Sequence, residues 1–381
     1  MAESRTSLLV IGAGPYGVAV AAAARAEGID TLVVGRPMAF WRAHMPAGMF
    51  LRSGPDWHLD AATLHTFAAF LEHRGIDPTD VDPLPIALFL EYAEWFVEQK
   101  ALAIHDELVT RLARADSGFE AELQSGRRIR AERVVCATGI ARFQRLPPWG
   151  AALPDGVATH TSDFVDFASV RDARLLIVGG RQSAYEWAAL AADHGAARVD
   201  VVHRHPTPRF EKVSWRFVDA YVDSTLAERG WWRRLPAERR HAIAREFWEV
   251  GRLTLEPWLT PRLPAARVFR WPETVVAEVK PTTARGVAVT LSRGEALEVD
   301  RVIFATGYEP RLADLPYLAP LLDEIQQFDG FPALDEGFQS SVRGLHFTGF
   351  AATRDFGPFF GFTKGCPAGA AILVDAVMGR A

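Results

Sequence analysis

Cysteine is scarce in this chain: Cys136 and Cys366 are the two present in 381 residues, far apart and in no CxxC pair. That scarcity excludes a disulfide scaffold and argues against a thiol-based active site. Long apolar runs are also missing. No stretch approaches the ~20 residues of a membrane span, so no membrane is expected as partner. Nor is there a cationic surplus: 42 lysines and arginines face 47 acids, giving a net charge of −5, and the basic residues are scattered. A nucleic-acid footprint is therefore not expected. The metal-binding H-E-x-x-H pattern and any clustered Cys/His pattern are absent, so no metal is expected. "MAESRTS" leads directly into an apolar run, leaves no room for a signal peptide and points to a cytoplasmic protein. The sequence leaves homo-oligomerisation open.

With 49% hydrophobic residues, the length suits two or three domains with real cores. Four segments share one shape, an apolar run stopping at small residues: "SLLVIGAG" (7–14), "RVVCATG" (133–139), "RLLIVGG" (174–180) and "RVIFATGY" (301–308). Runs of β-formers halted by glycine read as buried parallel strands whose carboxyl ends face a ligand crevice. They fall into two pairs, each a glycine-turn strand followed later by an ATG strand. This predicts an α/β fold of two doubly wound, Rossmann-like dinucleotide-binding domains, one inserted in the other. The outer domain is expected at 1–165 and 309–381, the inner one at 166–308.

Within the inner domain, 205–270 stands apart by its tryptophans 215, 231, 232, 248 and 258. Ile243, Phe247 and Val250 fall at i, i+4, i+7, the pattern of an amphipathic helix. The stretch reads as an aromatic-rich helical insertion, serving either as core or as a lid over substrate.

The first glycine turn is complete. Gly12 permits a tight turn, Gly14 lets backbone approach a pyrophosphate, and Gly17 lets helix pack on strand. Pro15 and Tyr16 complete the loop, and the helix amino end faces the phosphates. The acidic residue that usually holds a ribose at the end of the second strand is missing. Gly35 or Arg36 stands there, so the ribose is held by water or by Arg36. In the second turn Gly179 and Ala184 keep the outer positions, with Gly180 a further cofactor candidate, but Arg181 replaces the middle glycine. It can offer a bidentate guanidinium to a phosphate, with Gln182 and Ser183 adding donors, or else point to solvent or an acidic neighbour.

In these two turns, two ATG strands and their order, the chain resembles the flavin-containing monooxygenases, including their N-hydroxylating and Baeyer–Villiger relatives. A linker supports the likeness: "PDGVATHTSDF" keeps Gly156, His160 and Phe164 of the family's F-x-G-x-x-x-H-x-x-x-F/Y pattern, with Pro154 for the leading Phe. His160 is expected to be architectural. The resemblance implies FAD in the first turn and NADPH in the second. It implies oxygenation, through a peroxyflavin, of a small nitrogen- or sulfur-containing substrate with O2. Arg204 and His205, ending the inner domain's second strand, suit the 2′-phosphate of NADPH rather than NADH.

The same likeness places further candidates. Thr138 and Gly139, with Thr306 and Gly307, close the ATG strands toward the cofactors. Thr363, Lys364 and Gly365, ahead of a helix begun by Pro367, are expected at the flavin's pyrimidine edge, where a helix dipole would stabilise the reduced ring. Residues 40–61 are expected over the flavin. Trp41 and Ser53 are cofactor candidates there, and Arg52, Asp56 and His58 are catalytic candidates for anion stabilisation and proton handling. Two competing functions stay open. One is a flavin reductase or oxidase passing electrons to a quinone, protein or oxygen. The other is a flavin-binding redox sensor or partner-binding module, with 205–270 as its interface.

Overall fold

The computed structural model describes residues 3–380 apart from 53, 155 and 283–285. The candidate Ser53 therefore lies outside the described residues. A seven-stranded sheet is built around the strand Glu3–Ile11, which pairs in parallel with Thr31–Val34 on one side and Arg128–Cys136 on the other. Leu8, Leu9 and Val10 are fully buried, because helices and loops cover both faces of a central parallel strand. Arg128–Cys136 divides its far edge between two partners. Its first half meets the antiparallel strand Phe119–Leu123, and its last residues meet the parallel strand Leu345–Phe347. Chain from far beyond the second glycine turn thus returns to the first sheet.

The second sheet is wholly parallel, in the order Val268–Trp271, Arg198–Val202, Arg174–Val178, Arg301–Phe304, Ala158–His160. Its last strand lies within residues that the sequence suggested for the outer domain, so the second sheet begins before 166. Along Arg174–Val178 the side chains alternate between faces. Leu175 and Ile177 pack under the helix Gln182–Asp193, while Leu176 packs on a three-stranded antiparallel layer spanning 276–299.

The aromatic insertion divides between the two cores: Leu255, Leu259 and Leu263 stay in the core of the second sheet, but its earlier part does not. Val218, Val222, Trp232, Ile243 and Phe247 join the core of the first sheet, and the helix Asp219–Ala227 packs on the C-terminal helix Cys366–Val377. The expected stripe of Ile243, Phe247 and Val250 holds only in part, since Val250 is 42% exposed. The reason is a change of pitch. The helix Ala237–Glu246 widens into a π-helix at Phe247–Arg252, where Leu253 N–H donates to the Trp248 carbonyl five residues back. A π-turn needs an extra residue, rotates the subsequent side chains off the α-helical face and recurs at functional sites. Among the described residues no helix is long and apolar enough to cross a membrane.

Candidate functional site

The carboxyl ends of both parallel sheets open into one cavity of about 1750 Å³. Both glycine turns line it. In the first, Gly12 has φ +112° and a Cβ there would meet the Ala137 carbonyl oxygen at 2.3 Å, so the turn presses on the neighbouring ATG strand. Gly14 differs: a Cβ on it would meet nothing within 4 Å, because it faces the cavity from the cap of the helix Pro15–Ala26. The turn thus leaves a groove one backbone wide at a helix amino terminus, which is what a pyrophosphate needs. Thr348 adds a second sign of a ligand here. It lines the cavity, and its buried Oγ1 has no partner among the described residues.

Pro15, Tyr16, Gly35, Arg36, Trp41, Thr138 and Gly139 reach the same cavity. Gly17 does not, because it packs helix against turn. Tyr16 spans to the C-terminal segment: its hydroxyl donates to the carbonyls of Phe360 and Phe362. This fixes the approach to Thr363–Gly365, of which Thr363 lines the cavity. Gly365 is buried against the Tyr16 hydroxyl, and Lys364 is turned away into ion pairs with Asp56 at 3.2 Å and Asp219 at 2.7 Å. Near Gly35 the cavity also receives Glu107, a carboxylate that sequence reading missed because it follows a two-residue strand, Ile104–His105, with no motif.

In the second turn Gly179 is held against the Ala305 carbonyl oxygen as Gly12 is against Ala137. Arg181 caps its helix at φ −110°, ψ −172°, close to the φ −83°, ψ −175° of Gly14. That extended backbone suits any residue, which explains why an arginine fits the middle position. Its guanidinium lies over Trp248, 3.9 Å from the ring centre. Gly180, Gln182 and Ser183 also line the cavity, as do Arg204, His205, Thr306 and Gly307. The Gln182 amide is committed elsewhere: its oxygen accepts from the Glu256 N–H at 3.1 Å. Ala184, in the first turn of the helix, is wholly buried and does not line this cavity. Arg181 has its pKa lowered, first by burial and then by the nearby Arg204 charge.

Of the three catalytic candidates, only Arg52 lines the cavity. Its donors are spent on structure: Nε to Glu256 at 3.0 Å, one terminal nitrogen to the Gly251 carbonyl at 2.7 Å, the other to Thr254 Oγ1 at 2.9 Å. Arg52 therefore clamps the stretch after the first βαβ unit to the end of the π-helix. Phe50 repeats the stitch, its N–H donating to buried Glu186 at 3.0 Å. Asp56 is shared by Lys364 and Arg216. His58 lies behind the wall, its pKa lowered chiefly by burial and its Nδ1 without a partner among the described residues. His160 joins the end of its strand to the next loop, Nε2 donating to the Gly307 carbonyl at 3.2 Å and Nδ1 bonded to Ser162 Oγ at 2.9 Å. Burial lowers its pKa.

Both cysteines are free and buried, with burial pushing Cys136 up to about 12 and Cys366 also upward. Burial disfavours the reactive thiolate at both positions.

A family profile described as pyridine nucleotide-disulphide oxidoreductase matches residues 9–229, more than half of the chain. The chain is 31% identical over 160 residues, 39% of its length, to an FAD-dependent urate hydroxylase of Xanthomonas campestris pv. campestris. It is 26% identical over 227 residues, 58% of its length, to a ferredoxin–NADP reductase of Saccharopolyspora erythraea. These matches span 33% and 62% of the two relatives. In fold it is similar to the ornithine N-hydroxylase of Kutzneria sp. 744, with a TM-score of 0.81 and 18% identity over 99% of each chain.

Proposed function

The chain belongs to the pyridine nucleotide-disulphide oxidoreductase family, and from that premise we propose that it is an FAD-dependent, NADPH- and O2-using monooxygenase of a small nitrogen- or sulfur-containing molecule. One observation carries the reading: two glycine turns face one cavity while both cysteines are buried and inert. Electrons entering there have no disulfide of this chain to reduce, so they leave to a separate acceptor. The first turn would hold FAD, which would supply the hydride-accepting and oxygen-activating chemistry that the side chains lack. The net change places one oxygen atom on the substrate and the other in water.

The protein's part is to bind, orient and exclude water. The groove at Gly14 and the helix behind it suit the FAD pyrophosphate. Arg181 and Arg204 line the cavity without a carboxylate partner among the described residues, and they suit the phosphates of NADPH. The aromatic wall of Phe247, Trp248 and Phe362 keeps the meeting point of the two nucleotides dry. The N-hydroxylase of like fold supports a nitrogen substrate.

A second reading, a reductase passing electrons to a protein or to oxygen, draws on the ferredoxin–NADP reductase relative. Oxygen uptake driven by NADPH, with peroxide assayed, separates the two. The oxygenase reading expects an amine or thioether to lower peroxide released per NADPH. Peroxide equal to NADPH with every candidate would favour the reductase or oxidase.

A further inference from the structure

One buried cation that the proposed cofactors do not explain is Arg252. It ends the π-helix and reaches the cavity, yet no hydrogen bond or ion pair of its guanidinium is found among the described residues, and its buried Nε is unpartnered. It is held instead by rings: Phe362 at 4.4 Å, Trp248 at 5.8 Å and Phe247 at 5.9 Å. Its charged neighbours make matters worse. Arg52 and Arg181 are both close enough to depress its pKa to about 9, after burial as the main cause. The carboxylates on this side are already engaged. Glu256 pairs with Arg52, and buried Glu186 is raised to about 7 while accepting from Phe50.

A desolvated guanidinium without a counter-ion is costly unless a ligand supplies one. The surplus charge marks an anion site. Two anions can reach this cavity, a coenzyme phosphate and a substrate carboxylate, and position separates them. Arg181 and Arg204 stand on the second glycine turn and at the end of the neighbouring strand, where a nucleotide enters the second sheet. Arg252 ends the π-helix, whose first residue, Phe247, packs into the first sheet's core. It stacks on Phe362, the residue directly before Thr363–Gly365 and the C-terminal helix. The C-terminal segment is the one expected at the flavin ring, so although Arg252 shares the Trp248 ring with Arg181, an anion held between it and Phe362 fits a substrate better than a coenzyme phosphate. Phe247, Trp248 and Phe362 make the wall around Arg252 largely aromatic, so a carboxylate would gain a charge-assisted contact in a water-poor setting.

We propose that Arg252 binds the carboxylate of the substrate, so that the molecule oxygenated is an amine carrying a carboxylate rather than a simple amine. This rests on the oxygenase reading for the amine, but the anion site itself does not depend on it.

The test is done without oxygen, so it stands apart from that reading. FAD-loaded wild type, Arg252→Gln and Arg252→Lys are titrated, with NADP+ present, with acetate, L-lysine and cadaverine, following the flavin absorbance. L-Lysine and cadaverine differ only in the carboxylate. The proposal expects L-lysine and acetate to bind the wild type, and Arg252→Gln to raise their Kd roughly tenfold to a hundredfold. Arg252→Lys should retain part of the affinity, and Kd for cadaverine and NADP+ should not change. Should Arg252→Gln fail to hold FAD, Arg252→Lys alone must weaken acetate and leave NADP+ intact. A loss of NADP+ affinity instead, an equal loss for cadaverine, or no response of the wild type to any carboxylate overturns the proposal.

Discussion

Arg181 lays its guanidinium on the indole of Trp248 at 3.9 Å, joining the second glycine turn to the π-helix of the insertion. The replaced glycine is therefore a point of contact between a coenzyme turn and the aromatic wall, rather than a damaged motif. A cation–π contact of this kind contributes about 0.5–1 kcal/mol where water reaches it.

Releasing that contact gives the first prediction. Trp248→Ala should raise KM for NADPH and for NADH alike, by about twofold to fivefold, since Arg181 is then free to wander. Arg181→Gly should weaken both coenzymes further. Steady-state flavin reduction with each coenzyme checks this, and unchanged values for both variants would detach Arg181 from coenzyme binding.

Arg204 predicts the opposite selectivity. An exposed cation at the end of the strand Arg198–Val202 that holds a 2′-phosphate is worth about 1.5–3 kcal/mol. Arg204→Ala should therefore cost roughly tenfold to a hundredfold in NADPH use and leave NADH almost untouched. An equal loss for both would place the residue on the pyrophosphate or nowhere near the coenzyme.

Arg52→Ala should act on stability before chemistry. It leaves Glu256, 5% exposed, without its cation, and breaking a buried pair costs about 3–5 kcal/mol. Differential scanning calorimetry should record a clear drop in Tm, whereas an Arg52 acting only on flavin chemistry would leave Tm unchanged.

The glycine turns and four core strands are legible in the sequence because each is dictated locally, by backbone clearance and by burial on both faces. The roles of Arg52, Asp56 and Lys364 are not, because their partners lie up to 308 residues away. The density of polar residues at 40–61 looks catalytic and is largely stitching between segments. Arg252 leaves no trace in the pattern, since a basic residue in an amphipathic helix reads as solvated until the π-turn redirects it inward. The side on which the insertion packs is equally hidden, because periodicity reports a buried face but not its partner.

Glu186 makes stability depend on pH. Its side chain is wholly buried, and burial raises its pKa from 4.5 to about 7. A group raised on folding contributes stability that is full below its unfolded value and is lost as pH rises through the folded one. Between about pH 4.5 and 7 the wild type should lose on the order of 3 kcal/mol through this residue. Glu186→Gln, which cannot ionise, should flatten that slope and melt higher than wild type at pH 8. Parallel melting curves for the two proteins from pH 5 to 8 would refute it.

The most direct measurement of the central claim is the fate of isotopically labelled oxygen. FAD-loaded protein is supplied with NADPH, ¹⁸O2 and a panel of carboxylated amines, simple amines and thioethers, and products are weighed by mass spectrometry. One labelled oxygen atom is expected in the product of at least one nitrogen or sulfur compound, in proportion to the NADPH consumed. NADPH oxidised at full rate, with all label in peroxide or water and none in any product, would contradict it.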